Sequence, residues 1–171
     1  WVLNADRDLY QALVAKQAIL TSAEGDPSAE EQLKAFRENV EQVRDRYTKA
    51  RTLLEGNREA WEPYRAEGSS ESVFAHFGIL DRELPEWVRL SEEQMKAPRS
   101  AGSSGQIEDP AFKKVRGALN AIGEILDEGA ARSAEENRAA MQRTERLVWV
   151  LLILFALLGL LWGAEPLAGI L

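Results

Sequence analysis

Asn4, Arg7, Asp8 and Gln11 recur at three- and four-residue spacing, so a helix that carries them shows all four on one face. A guanidinium flanked by amides binds a small carboxylate or a similar anion through charge-assisted hydrogen bonds. The same residues also have an internal use, in which Arg7 pairs with Asp8 or Asp6 and the face is simply solvated. Other chemistry is scarce. His76 is the only histidine and lies between Ala75 and Phe77, so it cannot by itself build an ordinary metal site. It reads as a packed or surface imidazole. The chain has no cysteine, which removes disulfides, thiolate metal sites and cysteine nucleophiles. The glycines at 101–105 follow no strand and have no lysine partner, so they do not form a phosphate loop. The carboxylates fall on helix surfaces, where pairing two of them as acid and base would be arbitrary. We therefore expect no enzyme, no cofactor and no metal.

The elements that must position the Arg7 face are helices. Residues 1–23 carry Val2, Ala5, Leu9, Ala12, Leu13, Ile19 and Leu20 as an apolar stripe, with the Arg7 face apart from it. Gly25 and Pro27 then punctuate, and Ser28 with Glu31 reads as a capping box. The second helix has the most regular seam: Leu33, Phe36, Val40, Val43, Tyr47, Ala50 and Leu54. It stops either at Gly56-Asn57 or near Gly68, and periodicity does not choose between the two. A third helix takes Val73, Phe77, Leu80, Leu84 and Trp87 inward, with a kink expected at Pro85 and an end near Ala97-Pro98. Residues 98–110 read as a polar loop. The last helix begins at Asp109-Pro110 with the stripe Phe112, Val115, Leu119, Ile122, Leu126 and Gly129, continuing as Ser133, Asn137, Ala140 and Thr144.

Nothing interrupts that helix before the segment Leu147–Ala164, LVWVLLILFALLGLLWGA, which contains no charge and is long enough to cross a bilayer. Arg143 and Arg146 bound it on one side and Glu165-Pro166 on the other, and Trp149 and Trp162 sit near its ends, where interfacial aromatics belong. Of the 28 acidic residues only Glu165 lies beyond residue 146, which leaves 27 against 21 basic residues, a net −6 on the preceding region. An acidic domain is a poor partner for nucleic acid. Trp1-Val2-Leu3 leads straight into a helical pattern with no signal peptide, so we expect sequence upstream. Asp109 to Leu147 spans about 57 Å of helix, and the first helix down from its tip about 35 Å. With the tips level, roughly 15 residues precede Trp1 before a first membrane helix. Arg7 would then lie opposite about Leu126, with Arg132 the nearest basic residue below it.

The segments NADRDLYQALVAKQAIL, GDPSAEE, FRENVEQVRDRY and FKKVRGALNAIGEIL, followed by a membrane helix, resemble the four-helix-bundle sensor domain of methyl-accepting chemotaxis proteins. Glu165 to Leu171 resembles the opening of a HAMP linker, with an acidic residue where the common pattern has a basic one. The resemblance implies an all-α, antiparallel up-down-up-down four-helix bundle continuing into one transmembrane helix. Residues 1–146 would be a periplasmic ligand-binding domain, 147–164 the span and 165–171 the start of HAMP. It also implies a homodimer in a bacterial inner membrane, a small-molecule ligand near the dimer interface made by the first and fourth helices, and a cytoplasmic kinase and adaptor reached through further regions. By position this falls on Asn4, Arg7, Asp8 and Gln11, with Arg132 as a further candidate. Two other readings share the same elements. One is the input domain of a membrane sensor histidine kinase, and the other is a ligand-free bundle that dimerises or contacts a partner.

Overall fold

The computed structural model describes residues 1–23, 25–97 and 109–163, with side chains as far as 159. Its elements are α1 (Val2–Thr21), α2 (Ser28–Glu55), α3 (Arg58–Trp61), α4 (Val73–Lys96) and α5 (Pro110–Gly163), and among the described residues there is no strand. The chain is all-helical, as the periodicity requires. It divides into two compact units, Trp1–Gly129 and Ala130–Leu171.

Each helix of the first unit is made by its apolar stripe and stopped by local chemistry. α1 buries Val2, Ala5, Leu9, Ala12, Leu13, Ala15 and Ile19, and ends where Ser22 turns extended. Gly25 takes a left-handed φ of +80° in the turn that follows. The expected capping role of Ser28 belongs instead to Asp26, whose Oδ1 accepts the Ser28 backbone N–H at 2.8 Å, while Ser28 makes no side-chain cap. The α2 seam from Phe36 to Leu54 is buried as its spacing requires, and Leu33 is half-buried.

α2 stops at Glu55, the first of its two possible ends. The connection to α4 then makes the short α3 and a turn at Gly68 with φ +71°. The Arg65 guanidinium ties this turn together by donating to the carbonyls of Glu62, Tyr64 and Ser70. Ser72 opens α4 by accepting the Ala75 N–H. α4 runs through Pro85 as one helix and buries Val73, Phe77, Leu80, Leu84 and Trp87. Asp109 Oδ1 opens α5 by accepting the Ala111 N–H at 2.7 Å.

Neighbouring helices run antiparallel, as cross-helix pairs show. Lys49 lies over the Trp1 ring while Arg46 meets Asp8, which sets α1 against α2. Arg37–Glu92 and Tyr47–Asp81 set α2 against α4. Lys114–Glu83 and the Phe112–Trp87 ring pair set α4 against α5. Lys16–Asp109 and the Tyr10–Phe112 ring pair close α5 back on α1. Trp87 touches both Phe36 and Phe112 at the centre of the core.

These last pairs overturn the level-tips expectation. Lys16, not the tip of α1, stands beside the start of α5, so Arg7 lies at about the height of Arg116 rather than Leu126. The estimate of upstream length built on level tips falls with it.

In the second unit, every described side chain from Ala130 to Gly159 is exposed, including Ser133, Asn137, Ala140 and Thr144. Among the described residues no helix is long and apolar enough to cross a membrane. The expected span, 147–164, extends past the last described side chain at 159; residues 98–108 of the expected 98–110 loop and the expected 165–171 linker lie outside the described residues.

Candidate functional site

The polar residues of α1 do not form one open face. Asn4, Arg7 and Gln11 are exposed, but Asp8 is fully buried. Arg7 reaches back to Asp8 Oδ1, with Nη2 at 3.1 Å and Nε at 3.3 Å. From the other side Arg46 of α2 brings its Nε to 2.5 Å from Asp8 Oδ2, at an angle that makes an ion pair but no hydrogen bond. Asp8 is thus a carboxylate clamped between two guanidiniums. Its exposed partner, Arg7, keeps over half of its side chain in solvent, and donors remain for a second anion.

A second charged group, on the α5 side, was not expected from the sequence. Arg116 lays its guanidinium over the Tyr10 ring at 4.8 Å, and Arg116 also acts on Asp6. Asp6 is half-buried; burial raises its pKa above the ordinary carboxylate value, and the Arg116 charge opposes that rise. Asp6 Oδ1 and Arg116 Nε are both buried and make no hydrogen bond among the described residues. Arg116 lies beside the α5 apolar stripe, where a basic residue reads as surface. Only the packing of α5 on α1 brings it to Tyr10.

Lys16 is buried and stands 3.9 Å from Asp109 Oδ2; burial lowers its pKa and Asp109 opposes that. Arg132 is exposed and belongs to the second unit. His76 is a packed imidazole: it is buried, with Nδ1 3.7 Å from Glu71, and burial lowers its pKa against the pull of Glu71 and Glu124.

Along the outer side of α1, Leu3, Arg7, Tyr10 and Val14 follow the four-three-four spacing of a helix–helix seam. Leu3 is 83% and Val14 61% exposed, values that core positions of the same helix never approach. Arg7 therefore lies between Leu3 and Val14, two apolar side chains left open among the described residues, while Tyr10 is partly covered by Phe112 and Arg116. A separate cavity of about 230 Å³ lies at the other end of α1, walled by Ile19, Leu33 and Met95, with Glu92 at its rim already paired to Arg37 and Lys96. No group of three or more metal-ligating side chains occurs among the described residues.

Comparison with family models, with curated proteins and with solved structures returns no match.

Proposed function

We propose that this chain is the sensory input region of a transmembrane chemoreceptor. In this reading residues 1–146 form a periplasmic four-helix bundle, 147–164 cross the inner membrane, and 165–171 begin a HAMP linker. The observation that carries the reading is the apolar end of α5. Every large apolar side chain from Leu147 to Leu158 is at least half exposed, all round the helix. A helix apolar on all sides is unstable in water and suited to lipid. It is continuous in α5 with the helix that supplies Phe112 to Ile125 to the core, so one element serves both environments.

The α1 seam of Leu3, Arg7, Tyr10 and Val14 supports pairing with a second copy, since an isologous contact covers the same stripe on both partners. Such pairing would bring two Arg7 guanidiniums near each other, a strongly cationic place in an acidic domain. A small carboxylate or inorganic anion would neutralise them. We therefore assign Arg7 the main ligand contact, Asn4 and Gln11 flanking hydrogen bonds, and Asp8 the role of aiming Arg7.

Calorimetric titration of the full chain in lipid nanodiscs against organic acids, amino acids and inorganic anions tests the ligand. Binding of an anion that is lost in Arg7→Ala is the expected result; equal affinity in Arg7→Ala removes the site. A reporter fused after Leu171 tests topology and is expected to be active only in the cytoplasm.

A further inference from the structure

Gly129 is buried on α5, and it differs from the other described glycines of that helix. A methyl group built at Gly117, Gly123 or Gly159 meets nothing within 4 Å. At Gly129 it meets the Trp61 indole, 3.4 Å from Cε3, 2.9 Å from Cη2 and closer still to Cζ3. No methyl fits there unless the ring moves.

The ring is not loose. Trp61 closes α3, packs on Tyr64 at 5.8 Å between ring centroids, and is partly buried against the core. Three residues earlier, Arg58 lays its guanidinium 4.1 Å over the Phe74 ring of α4. Through these contacts the α2–α4 connection holds an indole against one particular turn of α5.

We propose that Trp61 is a positioning residue for α5, a stop that admits Gly129 and no side-chain-bearing neighbour, and so fixes the axial and rotational register of that helix. A one-residue step moves a helix about 1.5 Å along its axis and turns it about 100°. Such a step would replace Gly129 under the indole with a residue that has a Cβ. Packed interfaces of this kind occupy discrete arrangements rather than sliding continuously. The sensor reading enters only in what the register means: there α5 is the output helix, and the Trp61 seat defines one of its signalling positions.

The chain has no cysteine, so cysteines introduced at the exposed positions Thr48 and Asp127 are the only sites for spin labels. Distances between them are measured by pulsed electron resonance in the full chain in nanodiscs. Gly129→Ala is expected to shift the mean distance by about 1.5 Å or more and to lower the melting temperature, whereas Gly123→Ala leaves both unchanged. In a Trp61→Ala background Gly129→Ala is expected to do neither. Trp61→Ala alone is expected to broaden the distance distribution, which keeps the proposal exposed even if Gly129→Ala fails to fold. An unshifted distance in Gly129→Ala, an equal shift in both backgrounds, or an unbroadened distribution in Trp61→Ala overturns it. No ligand is needed, so these measurements fail or succeed independently of the anion titration.

Discussion

Spacing groups Asp8 with Asn4, Arg7 and Gln11, yet it is the residue of the four that water does not reach. Its spacing to Arg7 is local and legible; its pairing with Arg46 joins two helices and is not. The same holds for Lys16 and Arg116, whose partners Asp109 and Tyr10 come from a different helix. Removing Asp8 leaves Arg46, mostly buried, without its counter-charge. Asp8→Ala is expected to cost about 2–4 kcal/mol in chemical denaturation, and Arg7→Ala, at the exposed end of the same cluster, less than about 1 kcal/mol. Equal costs would mean that Arg46 does not depend on Asp8. His76 gives a pH dependence. Burial holds its folded pKa below the ordinary imidazole value of 6.5, so the unfolded chain takes up a proton first as pH falls. The stability due to neutral His76 is full above about pH 6.5 and is lost as pH falls from there through the folded value. The melting temperature is expected to fall between pH 7.5 and 5.5, and to fall less in His76→Phe; an identical fall in the two proteins would assign the loss to other groups.

The helices themselves were largely readable because burial repeats with the helix period along each of them. The α2 seam from Phe36 to Leu54 is buried at every expected position. Val43→Ala is expected to destabilise by about 1–3 kcal/mol through lost burial and a residual cavity. Glu41→Ala, which removes only an exposed partner of Arg44, should change stability by less than about 0.5 kcal/mol. Thermal or urea unfolding of the two variants checks the register. What periodicity could not supply was the height of one helix against another. The stagger of α1 and α5 is set by Lys16–Asp109 and Tyr10–Phe112, contacts between residues about a hundred positions apart. Nor could it supply the α2 end, because the three-four spacing runs on to Trp61 and Tyr64 although the chain turns at Gly56. Those two aromatics are indeed packed against the core, but from the connection and not from α2.

At the scale of the whole molecule, two apolar surfaces stay open among the described residues: the α1 stripe and the far end of α5. They call for different solvents. Arginine and tyrosine interrupt the first at helical spacing, which suits a protein partner, whereas the second has no polar interruption from Leu147 to Leu158 and suits lipid. Val14→Glu is expected to weaken self-association of the full chain in nanodiscs or detergent by at least tenfold, since like charges would face each other across a two-fold contact. Sedimentation or light scattering measures it. An unchanged dissociation constant would rule out the proposed dimer contact on this face, and with it the proposed two-arginine site.

Pro85 has a consequence for α4 that reaches into α2. Lacking an N–H, proline leaves the carbonyl of Asp81, four residues earlier, without its helical donor. Asp81 is also the residue whose carboxylate accepts the Tyr47 hydroxyl at 3.2 Å and the Arg51 guanidinium at 2.7 Å; burial first and the Asp81 carboxylate second, against the opposing charges of Arg44 and Arg51, push the Tyr47 pKa up to about 12. A turn of one helix is therefore splinted by its neighbour at the very residue whose carbonyl lacks a helical donor. Amide protons of the turn around Asp81 should exchange faster once the splint is cut by Tyr47→Phe together with Arg51→Ala, while the turns around Trp87 keep their protection.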